Sequence, residues 1–266
     1  MITSKSNPKV KEIRLLHQAK YRHARQEYFV EGIKLILEAL HDPQQIIKIV
    51  YSPRLEKNVR GAELLSHLRQ KVSTAEWLYV SDEVLDKMTD TQTHQGVMAV
   101  LKIKKWSWQE ILLREGLMLL LYQIQDPGNL GTIFRVAEAG GVAGLVLSSN
   151  TVDPFNPKAV RSSMGSIFRL PFLLNQDIEK AINNLQSSGY KTWATSPMAQ
   201  ISFWEVDFSK RTAVIFGQEG GGLPENIIKA AARSLTIPMK SEVESLNVAM
   251  AAGLVIFEAL RQKYKK

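Results

Sequence analysis

The chain has 266 residues, 45% of them hydrophobic, and a formal net charge of +8 with no cysteine. This length suits two domains or one large one, and no apolar run is long enough to span a bilayer, so we expect no membrane partner. Without cysteine the chain has no disulfides, thiolate zinc sites or cysteine nucleophiles, and we expect a cytoplasmic location.

Residues 1–104 are predicted to form a small α/β domain. The pattern of apolar residues predicts helices at residues 9–28, 32–40, 62–71 and 82–89. Strands are predicted at residues 46–51, 77–80 and 97–103. Residues 104–108, which read Lys-Lys-Trp-Ser-Trp, are the predicted linker to a second domain at residues 105–266.

The positive charge is concentrated in this first domain, above all in a basic arm at residues 1–25. Residues 1–105 hold 18 Lys and Arg against 12 Asp and Glu, whereas residues 106–266 hold 16 against 14. Phosphate contacts release counterions, so a basic arm favours a polyanion such as RNA, with a solvated helix face as the alternative. The candidate RNA contacts are Arg14, Arg22 and Arg25 in the arm, and Arg161, for which a helix-surface role is the alternative.

Residues 105–266 are predicted to alternate between strands and helices. The predicted strands are at residues 117–124, 143–147, 192–195, 213–216 and 235–237. The predicted helices are at residues 130–140, 158–164, 177–187 and 245–264. This alternation indicates a parallel sheet covered on both faces.

Three turns rich in small residues follow apolar runs in this second half, and they suggest one ligand pocket at the carboxyl ends of the strands. The first reads Asp-Pro-Gly-Asn at residues 126–129. Asn129 can cap the helix that follows, and Arg135 on that helix could hold an RNA phosphate through two hydrogen bonds. The alternative is an ordinary capped helix with a surface arginine.

The second turn, residues 217–222, reads Gly-Gln-Glu-Gly-Gly-Gly and lets the backbone approach a ligand closely. No Lys-Ser/Thr pair follows it, and Glu219 takes the place of the second glycine of the dinucleotide fingerprint, which argues against a nucleoside triphosphate or NAD. Glu219 could accept hydrogen bonds from a hydroxyl or pair with an arginine; a solvated glutamate in a flexible loop is the alternative. In the third turn, Ser245 is predicted as a helix N-cap, as a catalytic residue, or as both.

The absence of cysteine and the positions of the histidines exclude further catalytic mechanisms. All five histidines precede residue 95, so a Ser-His-Asp triad cannot form within the carboxyl half. No clustering of histidines or carboxylates indicates a metal site, so no metal is expected. Without cysteine, methyl transfer to carbon 5 of a pyrimidine through a thiol adduct is excluded as well.

The three turns together resemble the motifs of the SpoU family of RNA ribose 2′-O-methyltransferases, in the SPOUT class. The first motif is similar to residues 129–133 with Arg135, the second to residues 217–223 with Glu219, and the third to residues 245–248. This resemblance covers residues 115–264. The first domain resembles the family's substrate-binding domain, through its layout and through Tyr-Phe-Val-Glu-Gly at residues 28–32.

The resemblance implies a parallel-sheet methyltransferase domain with a trefoil knot, working as a homodimer through its terminal helix. It implies S-adenosylmethionine as the cofactor, held near Thr195, Gly217, Ile237 and Leu246. The reaction is then the attack of a ribose 2′-hydroxyl on the sulfonium methyl. Arg135 would position and stabilise, since arginine is too weak a base, while Asn129, Glu219, Ser245 and Asn247 would orient the ribose, Arg135 and the loops.

The identity of the substrate stays open at this level. A separate basic domain favours a large structured RNA, with large-subunit ribosomal RNA preferred and transfer RNA as the alternative. The rival functions are a non-catalytic RNA-binding protein on the same fold, methylation of a base, and a small-molecule dehydrogenase. The intact motif residues argue against the first, the pairing of Asn129 with Arg135 against the second, and the failed dinucleotide fingerprint against the third.

Overall fold

The computed structural model describes residues 1–91, 94–240 and 245–264. Its α-helices are α1 Pro8–Arg14, α2 Ala19–Arg25, α3 Ile33–Ala39, α4 Pro53–Glu56, α5 Val59–Lys71, α6 Asp82–Leu85, α7 Trp108–Leu112, α8 Pro127–Ala139, α9 Pro157–Ser163, α10 Ile178–Ser187, α11 Glu225–Ala230 and α12 Val248–Tyr264. Its strands are β1 Glu27–Glu31, β2 Ile46–Tyr51, β3 Glu76–Tyr79, β4 Val97–Lys102, β5 Met118–Leu121, β6 Gly144–Ser148, β7 Phe172–Gln176, β8 Lys191–Thr195, β9 Thr212–Phe216 and β10 Arg233–Leu235.

The first of two compact units comprises Met1–Lys104 and Phe155–Phe168. Its four-stranded sheet has the order β1-β4-β2-β3, in which β4 is antiparallel to β1 and β2, and β3 is parallel to β2. Val10 and Ile13 of α1 belong to the same buried cluster as Phe29 of the sheet. The basic arm is therefore part of the packed unit.

The prediction of a single helix at residues 9–28, over the basic arm, is wrong. The helix is interrupted at Gln18, which is extended, and the second piece ends at Gln26 in the left-handed region with φ of 56°. Arg22 explains the break, because its Nη1 donates hydrogen bonds of 2.8 Å to the carbonyl oxygens of both Leu16 and His17. These carbonyls would otherwise lack partners in the interior.

A segment from the middle of the chain completes the first unit. The ring of Phe155 lies 4.7 Å from that of Tyr28 on β1, and Nη1 of Arg161 lies 2.8 Å from a carboxylate oxygen of Asp90. Gly165 has φ of +97°, and a Cβ there would lie 2.9 Å from the side chain of Glu38. The segment Phe155–Phe168 is thus fixed by packing, by charge and by one close approach.

The second unit comprises Lys105–Pro154 and Arg169–Lys266 and is built on a six-stranded sheet. The strand order is β10-β8-β9-β5-β6-β7, and every pairing is parallel. The central strands β5, β6 and β9 are buried at every position, as expected for a sheet covered on both faces. The predicted parallel sheet is confirmed, while the trefoil knot stays a prediction.

Several elements of this unit escape the sequence patterns. Strand β7 and helices α7 and α11 are not predicted, and α8 begins three residues earlier than expected. Strand β7 lies at the edge of the sheet and ends in Asn175 and Gln176, so its apolar run is short. Edge strands carry polar residues on their open side, which weakens the signal on which strand prediction depends.

Helices α8 and α12 pack closely at Gly140. A Cβ at this position would lie 2.0 Å from Cγ2 of Ile256, a distance that no relaxed side chain tolerates. Gly253 lies on α12 of the same pair, but a Cβ there would meet only Cγ1 of Val136 at 3.6 Å, which is an ordinary contact.

Replacing Gly140 with alanine should destabilise the second unit by about 1–3 kcal/mol, because the added methyl group forces α8 and α12 apart. Gly253→Ala is the matched control, and it should be neutral or stabilising by about 0.5–1 kcal/mol, since alanine favours the helix. Urea unfolding of both variants measures the difference. Equal stabilities for the two would contradict the close packing at Gly140.

Candidate active site at the carboxyl ends of the parallel strands

The site lies where the sheet reverses its direction of growth. From β5 the chain proceeds to β6 and β7 on one side, whereas from β9 it proceeds to β10 on the other, and β5 and β9 are neighbours. The loops that leave these two strands therefore diverge and open a crevice, the usual ligand position in a parallel sheet. The first predicted turn follows β5, and the second follows β9.

The first turn is capped by Asp126 and not by Asn129 as predicted. Helix α8 begins at Pro127, and a carboxylate oxygen of Asp126 accepts a hydrogen bond of 2.8 Å from the backbone N–H of Asn129. Asn129 is thus in the first helical turn. Its side-chain amide is free to make contacts outside the helix.

Glu219 accepts hydrogen bonds from three groups of this turn. The Asn129 amide donates to Oε1 at 3.0 Å, the backbone N–H of Gln125 donates to Oε2 at 3.2 Å, and the backbone N–H of Asp126 donates to Oε1 at 3.3 Å. One carboxylate on the β9 loop therefore fixes the turn that follows β5. The sequence separation between Glu219 and Asn129 is 90 residues.

These contacts keep Glu219 ionised. Burial of part of the carboxylate raises the pKa of Glu219, but the hydrogen bonds from Asn129, from Gln125 and Asp126 and from its own backbone outweigh this effect and hold the pKa below its usual value. A carboxylate with a lowered pKa is a weaker base than a free glutamate. Its role in the site is to hold other groups in place.

Asn247 joins the third segment to the first. Its Nδ2 donates to Oδ1 of Asn129 at 2.9 Å, while its Oδ1 accepts from the backbone N–H of Ala249 at 2.9 Å and of Met250 at 3.3 Å. Asn247, and not Ser245 as predicted, therefore caps α12. The chain of contacts from Glu219 through Asn129 to Asn247 is called the amide relay below, and it brings together the three sequence segments singled out above.

Arg135 and Ser245 do not belong to the amide relay. Both side chains are exposed, and within the described part of the chain neither makes a hydrogen bond or ion pair with another residue. Arg135 lies on α8 six residues beyond Asn129, about 9 Å along the helix axis. Its guanidinium is available to a ligand.

A cavity of about 420 Å³ adjoins the amide relay. Its lining includes all four residues predicted for the cofactor, Thr195, Gly217, Ile237 and Leu246, together with Glu219 and Ser245. The hydroxyl of Thr195 donates to the carbonyl of Ile215 at 2.9 Å, so its proton is already engaged in a hydrogen bond within the protein. The volume is in the range of small-molecule pockets, about 300–1,000 Å³.

Gly217 can only be glycine because the loop folds back on it. A Cβ at this position would lie 2.2 Å from the carbonyl carbon of Gly222 and 2.6 Å from the backbone nitrogen of Leu223. Gly222 itself has φ of +63°, which glycine adopts without strain. The glycines thus shape a tight loop whose backbone lines the cavity.

Gln125 is a site residue that the sequence reasoning missed. Its side-chain amide donates to the carbonyl oxygens of Gln123 at 2.8 Å and Asn150 at 2.9 Å, both of which have positive φ. It thereby joins the loop after β5 to the loop after β6. Its position directly before the Asp-Pro-Gly-Asn turn is the only signal that could have indicated this role.

The predicted RNA contacts lie in the first unit and differ in availability. Arg22 is only 2% exposed and its guanidinium is bonded to backbone carbonyls, so its predicted contact with RNA is incompatible with this structure. Arg25 is paired with Glu12 at 2.9 Å, and Arg161 with Asp90. Arg14 is exposed.

Two kinds of site are not found among residues 1–91, 94–240 and 245–264. No group of three or more histidines and carboxylates there is arranged to hold a metal ion. No helix in the same ranges has the length and hydropathy needed to cross a membrane.

Comparison with known protein families gives two matches that divide the chain. Residues 116–257 match the SpoU rRNA Methylase family, and residues 7–99 match the MRM3-like substrate binding domain. The chain is 39% identical over 264 residues to an uncharacterised tRNA/rRNA methyltransferase of Synechocystis, covering 99% of this chain and 94% of that protein. It is 30% identical over 257 residues to the 23S rRNA (guanosine(2553)-2′-O)-methyltransferase RlmP of Bacillus subtilis, covering 96% of this chain and 97% of that protein.

Solved structures extend these similarities to the whole fold. An AdoMet-bound rRNA methyltransferase from Sinorhizobium meliloti aligns with a TM-score of 0.84 and 31% identity, covering 98% of this chain and 97% of that one. The SpoU methyltransferase AviRb from Streptomyces viridochromogenes in complex with AdoMet aligns with a TM-score of 0.87 and 25% identity. The alignment covers 97% of this chain and 98% of that one.

The Glu219 carboxylate should stay ionised at a pH at which a free glutamate protonates. Because the folded pKa is lowered, the stability that it adds is fully present above about pH 4.3, the unfolded value, and is lost as the pH falls through the lower folded pKa. The backbone amide resonances of Gln125 and Asp126, followed by NMR, should therefore titrate with a midpoint below about pH 4.3. Glu219→Gln should remove the part of this titration that Glu219 causes, and a wild-type midpoint at or above the unfolded value would contradict the contacts described.

Proposed function

Because the chain belongs to the SpoU rRNA methylase family, we propose that it transfers the methyl group of S-adenosylmethionine to a ribose 2′-hydroxyl of large-subunit ribosomal RNA. The observation that carries this proposal is the amide relay, which joins the three motif segments beside a cavity of about 420 Å³. A protein that had lost catalysis would have no need to keep these polar side chains aligned.

The cavity residues fit S-adenosylmethionine. The backbone of the loop that begins at Gly217 offers hydrogen-bonding groups, and Leu235, Ile237 and Val248 offer apolar surface for an adenine ring. Thr195 and Leu246 complete the residues that would hold the cofactor. When bound, this cofactor supplies an electrophilic methyl group on a positively charged sulfur.

Arg135 is the residue that we assign to the reacting ribose. An arginine side chain stays protonated, so Arg135 cannot accept the proton of the 2′-hydroxyl. Its guanidinium, which pairs with no described residue, can instead hold a phosphate beside the ribose and stabilise the negative charge that develops on the attacking oxygen. We assign Glu219 to positioning and not to proton transfer, because its oxygens already accept three hydrogen bonds from the turn after β5. We assign the proton to the substrate phosphate or to solvent.

The remaining polar residues orient the reacting groups. Asn129 and Asn247 share a hydrogen bond that fixes both amides, and Glu219 fixes the other side of Asn129. Ser245 lines the cavity with a hydroxyl that no residue of the described ranges engages, and this hydroxyl can donate to a bound ligand. A network that is ordered before substrate binds lowers the cost of positioning the ribose.

The two units divide the work in this proposal. The second unit, which holds the amide relay and the cavity, carries out the methyl transfer. The first unit, which matches a substrate-binding domain, binds the RNA. An enzyme that modifies ribosomal RNA works where ribosomes are assembled, so we place it in the cytoplasm.

A homodimer is part of the proposal, and α12 supports it. Leu246, Met250, Leu254 and Phe257 recur at a spacing of three or four residues and are 38%, 63%, 42% and 50% exposed. The opposite face of the helix carries the buried Ala252, Val255, Ile256 and Ala259. An exposed apolar stripe along a helix that is already packed on its other side is typical of a subunit interface.

Arg135→Ala should lower the rate of methyl transfer about 10²- to 10³-fold, the range seen when one stabilising group is removed from a developing oxyanion. Binding of S-adenosylmethionine should be almost unchanged. Tritium transfer to RNA and calorimetric titration of the cofactor measure the two effects. Arg135→Lys keeps the charge but not the paired donors, so it should recover only part of the rate.

The product tests the rest of the proposal. Tritium should appear in large-subunit ribosomal RNA lacking the modification, and nuclease digestion with mass spectrometry should place it on ribose. Methylation confined to transfer RNA, or found on a base, would contradict the corresponding part of the proposal. Absence of any transfer by the wild-type protein would favour a non-catalytic RNA-binding role.

Phe257→Glu should convert a dimer into monomers, because it places a charge within the apolar stripe on α12. Leu113→Glu is the matched control: Leu113 is 78% exposed in the same unit but lies outside α12. Sedimentation equilibrium of the two variants and the wild type measures the assembly state. A monomeric wild-type protein, or a dimeric Phe257→Glu variant, would contradict an interface centred on this stripe.

A further inference from the structure

The first unit has a groove of about 900 Å³ bounded by α3 on one side and by the corner between α4 and α5 on the other. It is called the α3–α5 groove below. Its lining residues are Ile33, Lys34, Leu37, Arg54, Lys57, Asn58, Val59, Arg60, Glu63, Leu64, His67 and Gln95. This groove has no part in the amide relay or the cavity of the second unit.

Positive charge dominates the α3–α5 groove. Lys34, Lys57 and Arg60 are exposed, and within the described ranges none of them makes a side-chain hydrogen bond or ion pair. Arg54 lies 3.5 Å from a carboxylate oxygen of Asp86 and is thereby held at the wall. Among the described residues of the lining, Glu63 alone is acidic.

The wall that carries these cations is closely packed. A Cβ at Gly61 would lie 2.1 Å from the carbonyl oxygen of Leu55, and a Cβ at Gly96, where φ is +82°, would lie 2.5 Å from its backbone nitrogen. Leu55 itself is fully buried. The corner between α4 and α5 is therefore closely packed against backbone on both sides, and Lys57 and Arg60 project from this corner.

Apolar side chains stand among the cations. Val59 is 78% exposed between Lys57 and Arg60, and Leu37 is 39% exposed on the α3 side. Phosphates with sugars and bases between them need this combination, since charged groups contact the backbone and apolar groups contact the sugar or base faces.

The basic arm is less suited to the same task. Arg22 is buried, and Arg25 is paired with Glu12. Lys48 lies 2.9 Å from Glu76, and Lys9 contacts the same carboxylate. The hydrogen bonds from Lys9 and Lys48 outweigh burial and lower the pKa of Glu76, which keeps this carboxylate charged. Part of the arm's positive charge is thus neutralised within the fold.

We propose that the α3–α5 groove binds the sugar–phosphate backbone of the substrate RNA through Lys34, Lys57 and Arg60. This inference rests on the proposed function, and it names the surface by which the first unit recognises its polyanion. Looped RNA fits best, because its backbone is free to follow a groove of this size and its bases are free to contact Val59 and Leu37.

The test compares two full-length variants that lose the same charge. In the first, Lys34, Lys57 and Arg60 are replaced by alanine; in the second, Arg69, Lys71 and Lys102, which are exposed in the same unit but outside the groove, are replaced by alanine. The probe is an in vitro transcript of large-subunit ribosomal RNA, and its affinity is measured by filter binding over a range of salt concentrations. Circular dichroism and cofactor titration establish that both variants are folded.

The groove variant should bind the transcript about 10- to 100-fold more weakly, and the slope of log K against log salt should fall by about 2, as expected for three lost phosphate contacts. The second variant should stay within about threefold of the wild type. A groove variant with wild-type affinity and slope overturns the proposal, and so does an equal loss in the two variants. If the wild type methylates no RNA but the groove variant alone loses affinity, the proposed function fails and the groove assignment stands.

Discussion

The site depends on the hydrogen bonds that the carboxylate of Glu219 accepts. Glu219 lies on the loop after β9, yet it accepts hydrogen bonds from the turn after β5 and from the side chain of Asn129. Asn129 in turn contacts Asn247 at the start of α12. Without this acceptor the polar groups of the turn after β5 would lose their common partner, and the link from the β9 loop through Asn129 to Asn247 would be broken.

The sheet makes this convergence possible. Because β5 and β9 are adjacent and their connections leave in opposite directions, the two loops meet at one edge with a crevice between them. Gly217 lets the second loop fold back tightly, and Gly140 lets α12 approach α8 closely enough to bring Asn247 beside Asn129. The positions of the glycines and of the polar residues are thus parts of one arrangement.

Charge in the first unit shows why composition alone is a poor guide to a binding surface. The basic arm holds many cations, but Arg22 satisfies backbone carbonyls and Arg25 is paired with a carboxylate. Around the α3–α5 groove, in contrast, the fold brings Lys34, Lys57 and Arg60 to one rim, where no residue in the described ranges pairs with them. A cation is most available to a polyanion when no carbonyl or carboxylate of the protein already binds it.

The sequence by itself determined the parallel sheet, because strands that alternate with helices pair in parallel and are covered on both faces, and it determined the motif segments and the exclusion of thiol chemistry. It also indicated Asn129, Glu219 and Asn247, but not their connections. Only the tertiary structure decided that Asp126 and Asn247 are the caps, that Gln125 belongs to the site, and that Arg22 is buried. These outcomes depend on contacts between residues far apart in the chain, and local patterns carry no information about such contacts.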